Sequence, residues 1–292
     1  MSGRICLFGE VLFDHFPDGR RVLGGAPFNV AWHLQAFGER PYLVSRVGAD
    51  AEGACVRDAM KAWRMDSDGL QLDQDLPTGR VQVTISHGEP AYQIVHPAAW
   101  DAIEPPAAIP ATALLYHGSL ALRDQVSRRA WRSLRDSHPG LVFVDVNLRP
   151  PWWSREQVLH DISDADWVKL NHDELDQLAP GTASSRGRAE SLLQDMNLQG
   201  LLLTDGARGA SLLTADAEYL ETRPACGIVV VDTVGAGDAL TAVMVLGLVR
   251  GWPLQTSLDR AQSFASAMVG QRGATVQDAD FYTAIARQWT TT

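Results

Sequence analysis

Short runs that are apolar almost throughout recur along this chain between longer amphipathic stretches, and that rhythm narrows its folds more than any other feature. ICLF (5–8), YLVSRV (42–47), ALLYHG (113–118), LVFVDV (141–146), WVKL (167–170), GLLLT (200–204), GASLLT (209–214) and IVVVD (228–232) read as strands. Helices are expected over 26–37, 51–64, 123–137, 154–162, 171–178, 186–197, 237–250, 254–270 and 278–289. A strand with no polar face must be covered on both sides, so the alternation predicts an α/β fold with a mainly parallel sheet between helices. Ligands of such folds sit outside the carboxyl ends of the strands, which makes the residues just after each run the first candidates for a site.

One segment departs from this rhythm. RVQVTISHGEPAYQIV (80–95) alternates at period two around a polar turn and reads as an antiparallel hairpin, with FPDGRRVL (16–23) adding a small strand beside it. Such a hairpin can cover a site or lie on an edge with no such role. No repeat or linker divides residues 1–292, which are read as one domain with a small lid from about 15–23 and 78–97.

Charge and composition exclude several functions. The formal net charge of -10 offers no basic face for nucleic acid. Lys61 and Lys169 are the only lysines and GxxxxGK[ST] is absent, so no P-loop is expected. A bound nucleotide would depend on backbone amides, a few arginines and Mg²⁺. Cys6, Cys55 and Cys226 follow no metal-ligand spacing and read as buried free thiols. No apolar run approaches the ~20 residues of a membrane span, and the N-terminus runs directly into a strand, so a soluble cytoplasmic protein is expected.

The most informative stretch is DTVGAGD (232–238), between the last strand-like run and an apolar helix. Read structurally, glycines make a sharp turn and aspartates cap a helix. Read chemically, the turn aims N–H groups and the positive helix end at an anion. Asp238, in the first helical turn, then makes sense as the acceptor of a proton from a hydroxyl attacking a phosphoryl group. A general base contributes about 10²–10⁴ in rate.

DTVGAGD resembles the second signature of the ribokinase-like carbohydrate kinases, the PfkB family, and other landmarks of that family follow in order. GGAPFNVAWHLQAFG (24–38) is similar to its first signature, GEVLFD (9–14) to its first-strand segment, and VGADAEG (47–53) to the entry of the next helix. NHDE (171–174) is similar to its N-x-x-E motif and TDGARG (204–209) to its T-x-G-x-x-G stretch. The resemblance covers essentially the whole chain and implies a three-layer α/β/α sandwich with a β lid. It implies Asp238 as catalytic base, with the amides of Gly235, Ala236 and Gly237 as anion hole. Asp14, Gly25 and Asn29 would hold a sugar; Asn171, Thr204, Gly206 and, by a loose alignment, Gln262 would line the ATP site. Glu174 would act on Mg²⁺ through water, although Asn171 and Glu174 equally fit a helix capping box. Asp232, near Gly273 and Ala274, matches the monovalent-cation (K⁺) site of some members, and a homodimer is compatible with the family.

Family membership leaves the acceptor open. GGAP followed by NVA is the fructokinase-like spelling, and DVNLRPPWW (145–153) resembles the D-P-N-x-R segment shared by fructokinases and 2-keto-3-deoxygluconate kinases, with Val146 in place of proline. Arg149 reads either as a bidentate donor to a phosphate or sugar-acid carboxylate or as a surface ion-pair partner. A phosphosugar acceptor would need a basic cluster in the lid, for which Arg20, Arg21, Arg80, His87 and His96 are the candidates. Only nine residues separate Asp14 from Gly24, a short lid segment for this family. Trp100, Trp152 and Trp153 read either as core or as stacking residues near the opening. The resulting expectation is an ATP-dependent kinase forming fructose 6-phosphate. A 2-keto-3-deoxygluconate kinase, a ribokinase or nucleoside kinase, and a non-catalytic sugar or nucleotide sensor are the alternatives.

Overall fold

The structure is a computed structural model and describes residues 3–86, 89–138, 140–225 and 227–290. Numbered along the chain, strands β1 (Arg4–Phe8), β4 (Tyr42–Gly48), β5 (Leu70–Asp73), β8 (Thr112–Gly118), β9 (Leu141–Asp145), β10 (Trp167–Asn171), β11 (Gly200–Thr204), β12 (Ala210–Thr214) and β13 (Tyr219–Thr222) form one nine-stranded sheet. Its order is β13-β12-β11-β10-β9-β8-β1-β4-β5, and only β12 runs antiparallel to its neighbours.

The continuous apolar runs are explained by burial on two faces. Along β1, Ile5 and Leu7 join one core with Phe28, Val243 and Phe264, while Cys6 and Phe8 join another with Leu134, Leu175 and Leu192. The first core lies under helices α1 (Ala26–Ala36), α2 (Ala51–Ala62), α7 (Ala236–Arg250), α8 (Leu254–Val269) and α9 (Ala279–Thr290). The second lies under α3 (Gln125–Asp136), α4 (Arg155–Ile162), α5 (His172–Leu178) and α6 (Ser185–Asp195). The result is a three-layer α/β/α sandwich, and α7 is buried along most of its length, from Ala239 to Gly247.

A second, four-stranded sheet stands apart from the first, in the order β3 (Arg21–Gly24), β2 (Leu12–His15), β6 (Gly79–Ser86), β7 (Glu89–Ile94). The short segment after Asp14 is itself a hairpin: the Phe16 N–H closes on the Arg20 carbonyl, and β3 returns antiparallel with Leu12 opposite Gly24. β2 then lies parallel to β6, which pairs antiparallel with β7.

Two expectations are corrected. IVVVD (228–232) is not a strand; the sheet ends at β13, and the Val231 and Asp232 N–H groups bond the Val269 carbonyl at the end of α8. Val229, Val230 and Val231 are exposed, so their apolar character does not serve the core. Cys55 is exposed, because α2 buries the stripe of Gly53, Val56 and Met60 and leaves Cys55 off it. Cys6 is buried, and burial pushes its thiol up to about 12. Cys226 and His87 lie outside the described residues. Strands β5 and β13 were not foreseen, because LQLD and YLET are too short and polar to stand out. Among the described residues, no helix is long and apolar enough to cross a membrane.

Candidate active site

The carboxyl ends of β9, β10 and β11 and the start of α7 converge on one place. Gly235 is the N-cap of α7, with φ of 78°, and a Cβ there would lie 2.4 Å from Ala274 Cα. Only glycine can make this left-handed turn against residue 274. No side chain caps α7. The Ala236 N–H donates to the Thr233 carbonyl at 3.3 Å, while those of Gly237 and Asp238 find no acceptor among the described residues. Two open donors at the positive end of a buried helix have the geometry to receive an anion.

Asp238 projects from that first turn and accepts a 2.7 Å hydrogen bond from Asn29 Nδ2 on α1. Its carboxyl is raised from 3.8 to about 6. Burial is the main cause, the Asn29 bond opposes it, nearby Asp145 adds to it, and Lys169 and Arg149 offset part of it. Asn29, expected at the sugar, is thus placed on Asp238, while its Oδ1 has no partner among the described residues.

Sequence reasoning missed two residues here. Lys169, in the middle of β10, donates to both oxygens of buried Asp145, at 2.9 and 3.0 Å, and Thr241 Oγ1 on α7 donates to Asp145 at 2.9 Å. Burial works against its charge, but the fields of Asp145 and Glu174 outweigh it and hold Lys169 protonated. Its Nζ lies 3.2 Å from where a Cβ on Gly237 would be, directly under the turn. The absent P-loop pattern leaves lysine unmarked, yet a lone polar residue inside the apolar run WVKL is a usable signal. Glu10 follows β1, is 2% exposed, and lies close to its own N–H and to that of Ala26 at the start of α1, both of which favour its charged form. Burial raises its carboxyl to about 7, the negative Asp238 adding to the effect, and one of its oxygens is unpartnered.

Beside the turn lies a cavity of about 840 Å³. Asn171, Thr204, Gly206 and Gln262 all line it, together with Lys169 and Gly237. The exposed apolar segment supplies part of its wall through Ile228 and Val230. Asn171 and Glu174 form a reciprocal capping box on α5: Asn171 Oδ1 accepts the Glu174 N–H at 2.9 Å, and Glu174 Oε2 accepts the Asn171 N–H at 2.8 Å. Glu174 Oε1 also accepts the Leu148 N–H, so this 5% exposed carboxylate fixes the loop before Arg149. Each oxygen retains a second lone pair, which fits a water-mediated contact to Mg²⁺ and not a bare, multidentate metal cage. Asp232 accepts N–H groups from Val234 and Gly273, both at 3.0 Å.

Arg149 is exposed and makes no ion pair among the described residues, but its positive field lowers the carboxyls of Glu10, Asp14 and Asp238. Asp14 sits on β2, opposite Val22 and Val81, with its carboxyl raised by burial. The basic residues of the small sheet are already engaged. Arg20 pairs with Asp18; Arg21 and Arg80 pair with Glu52; and His96 bonds Asp124. Trp100 is fully buried under Arg123, which also stacks on Trp152.

Known proteins resemble the chain over nearly its full length. Residues 7–280 match the pfkB family carbohydrate kinase pattern. Fructokinase of Klebsiella pneumoniae is 32% identical over 85% of this chain and 85% of its own. Aminoimidazole riboside kinase of Salmonella typhimurium is 29% identical over 93% of this chain and 90% of its own. The crystal structure of fructokinase from Vibrio cholerae O395, in fructose, ADP and calcium ion bound form, superposes with a TM-score of 0.84 at 25% identity, covering 96% of this chain and 98% of that one. The fold is therefore ribokinase-like, and the chain belongs to the pfkB family of carbohydrate kinases: it is a fructokinase-like sugar kinase, a phosphotransferase with an alcohol group as acceptor.

Proposed function

We propose that this kinase transfers the γ-phosphoryl group of ATP to fructose, giving fructose 6-phosphate, with Asp238 as general base. One observation carries the reading: a carboxylate with a raised pKa is held by Asn29 at the open N-terminus of α7, beside a nucleotide-sized cavity with Lys169 at its inner end. ATP fills the cavity lined by Asn171, Thr204, Gly206 and Gln262, placing its terminal phosphates at the Gly237 and Asp238 amides and Lys169. Asp14, Gly25 and Asn29 hold the sugar under the small sheet. As the sugar oxygen bonds to the γ-phosphorus, the bond to the β–γ bridging oxygen breaks, ADP leaves, and the hydroxyl proton passes to Asp238. The open amides and Lys169 stabilise the charge on the transferring group, each preorganised donor contributing on the order of 3 kcal/mol. Mg²⁺, when bound through nucleotide phosphates and water near Glu174, neutralises phosphate charge; Asp232 is the candidate for a K⁺ site.

A neutral acceptor is favoured because, among the described residues, the small sheet has no uncommitted basic cluster for a phosphosugar. The similarity to aminoimidazole riboside kinase supports a riboside as the second reading. Free Arg149 would suit a sugar-acid carboxylate, and such a preference would show as strong dependence on Arg149. ³¹P NMR of products formed from ATP and fructose tests the assignment. A 6-phosphate signal that disappears with Asp238→Asn is expected. Unaltered turnover by that variant refutes the base.

A further inference from the structure

VGADAEG matches a landmark of the family, yet the catalytic chemistry gives it no task. In the structure it joins the two sheets. Glu52, in the first turn of α2, is 3% exposed and meets basic side chains from three strands of the small sheet. Its Oε1 lies 2.8 Å from His15 Nε2 on β2 and 3.4 Å from Arg21 Nη1 on β3, and its Oε2 lies 2.7 Å from Arg80 Nε on β6. The register explains the convergence. His15 stands opposite Arg21, and Arg80 stands beside Phe13, two residues before His15, so all three share one face. Asp14, between Phe13 and His15, belongs to the other face.

A second set of contacts ties the point where the chain leaves the body for β6. Asp50, the N-cap of α2, accepts the Thr78 N–H at 2.9 Å and the Thr78 hydroxyl at 2.7 Å, while Thr78 Oγ1 accepts the Gly48 N–H at 3.0 Å. The joint is closely packed: a Cβ on Gly53 would lie 2.0 Å from the Gly48 carbonyl oxygen.

We propose that Glu52 is the latch that holds the small sheet against the body, and so a positioning residue for phosphoryl transfer. The inference rests on the kinase reading. The arrangement is asymmetric, with one buried carboxylate on the body side facing an imidazole and two guanidiniums whose side chains are 22%, 59% and 41% exposed. Removing the carboxylate leaves the Arg21 and Arg80 guanidiniums as like charges side by side and His15 without its partner, so the ties on all three strands weaken together. Because His15 is adjacent to Asp14, release also displaces the sugar-side carboxylate. A loosened cover admits water to the bound phosphates, where it competes with the sugar hydroxyl.

The test compares fructose-dependent ADP release with sugar-independent ATP hydrolysis in the unsubstituted protein, Glu52→Gln, Arg80→Gln and His15→Gln. Glu52→Gln is expected to raise KM for fructose about tenfold, leave KM for ATP within about twofold, and raise the ratio of hydrolysis to transfer about tenfold. Arg80→Gln and His15→Gln, each removing one tie, give smaller changes in the same direction. These two carry the test if Glu52→Gln does not fold. Transfer by the unsubstituted protein, with sugar KM and hydrolysis ratio unaltered in the variants that fold, overturns the latch alone. Absence of transfer by the unsubstituted protein to any sugar overturns the kinase reading and the latch with it.

Discussion

Asp238→Asn should make the protein more stable and nearly inactive at once. The Asp238 carboxyl is raised from 3.8 to about 6 in the folded protein. At 1.36 kcal/mol per pKa unit this corresponds to a destabilisation of about 3 kcal/mol when the group is ionised. The sign follows from linkage. The folded state binds this proton more tightly than the unfolded one, so the cost is absent below pH 3.8, grows through the interval, and is complete above about pH 6. Asparagine carries no charge at any of these pH values, and its carbonyl can still accept the Asn29 N–H. Allowing for partial access of water, a gain of about 1–3 kcal/mol at pH 8 is expected, or roughly 2–6 °C in Tm for a chain of this size. Turnover should fall by about 10²–10⁴. Thermal melts of both proteins, ligand-free, at pH 8 and pH 4.5 provide the assay. A Tm advantage that is large at pH 8 and shrinks toward pH 4.5 is predicted. A variant no more stable than the parent at pH 8, or an advantage independent of pH, would refute the buried-charge reasoning.

Other substitutions probe separate contacts. Asn29→Ala removes the bond that lowers the Asp238 carboxyl, so the acid limb of the pH–rate profile should move upward from about 6; an unmoved limb contradicts that role. Lys169→Met strands buried Asp145 and should cost about 3–5 kcal/mol in denaturant titrations. Adding Asp145→Asn should restore stability without restoring the KM for ATP, and recovery of that KM would remove Lys169 from the phosphate site. Gly235→Ala meets both a φ of 78° and a 2.4 Å approach to Ala274, so a loss of about 1–3 kcal/mol is expected along with turnover. Wild-type stability and activity argue against that strain.

Much of this was legible because hydrophobic pattern fixes what the solvent must be kept from. The runs at 5–8, 141–146 and 200–204 could only be strands covered on both faces, and they are. The same reasoning failed at 228–232, where valines face outward and Ile228 and Val230 line a cavity. Hydrophobicity alone does not distinguish a wall for a ligand from a strand for a core. The motif at 232–238 located the glycine turn at the start of α7, but pairings across the chain were beyond it. Asn29 and Asp238 are 209 positions apart, and nothing local marks Lys169 as lying under Gly237. NHDE supported two readings in sequence, and the structure brings its ends together as a capping box that also orders the loop before Arg149.

The most direct test of the account is the kcat/KM for phosphoryl transfer from Mg²⁺-ATP to fructose, measured beside ribose, aminoimidazole riboside, 2-keto-3-deoxygluconate and fructose 6-phosphate. The account predicts that fructose leads the panel and that fructose 6-phosphate is not an acceptor. A preference for the riboside or the keto acid, or efficient use of the phosphosugar, would contradict it.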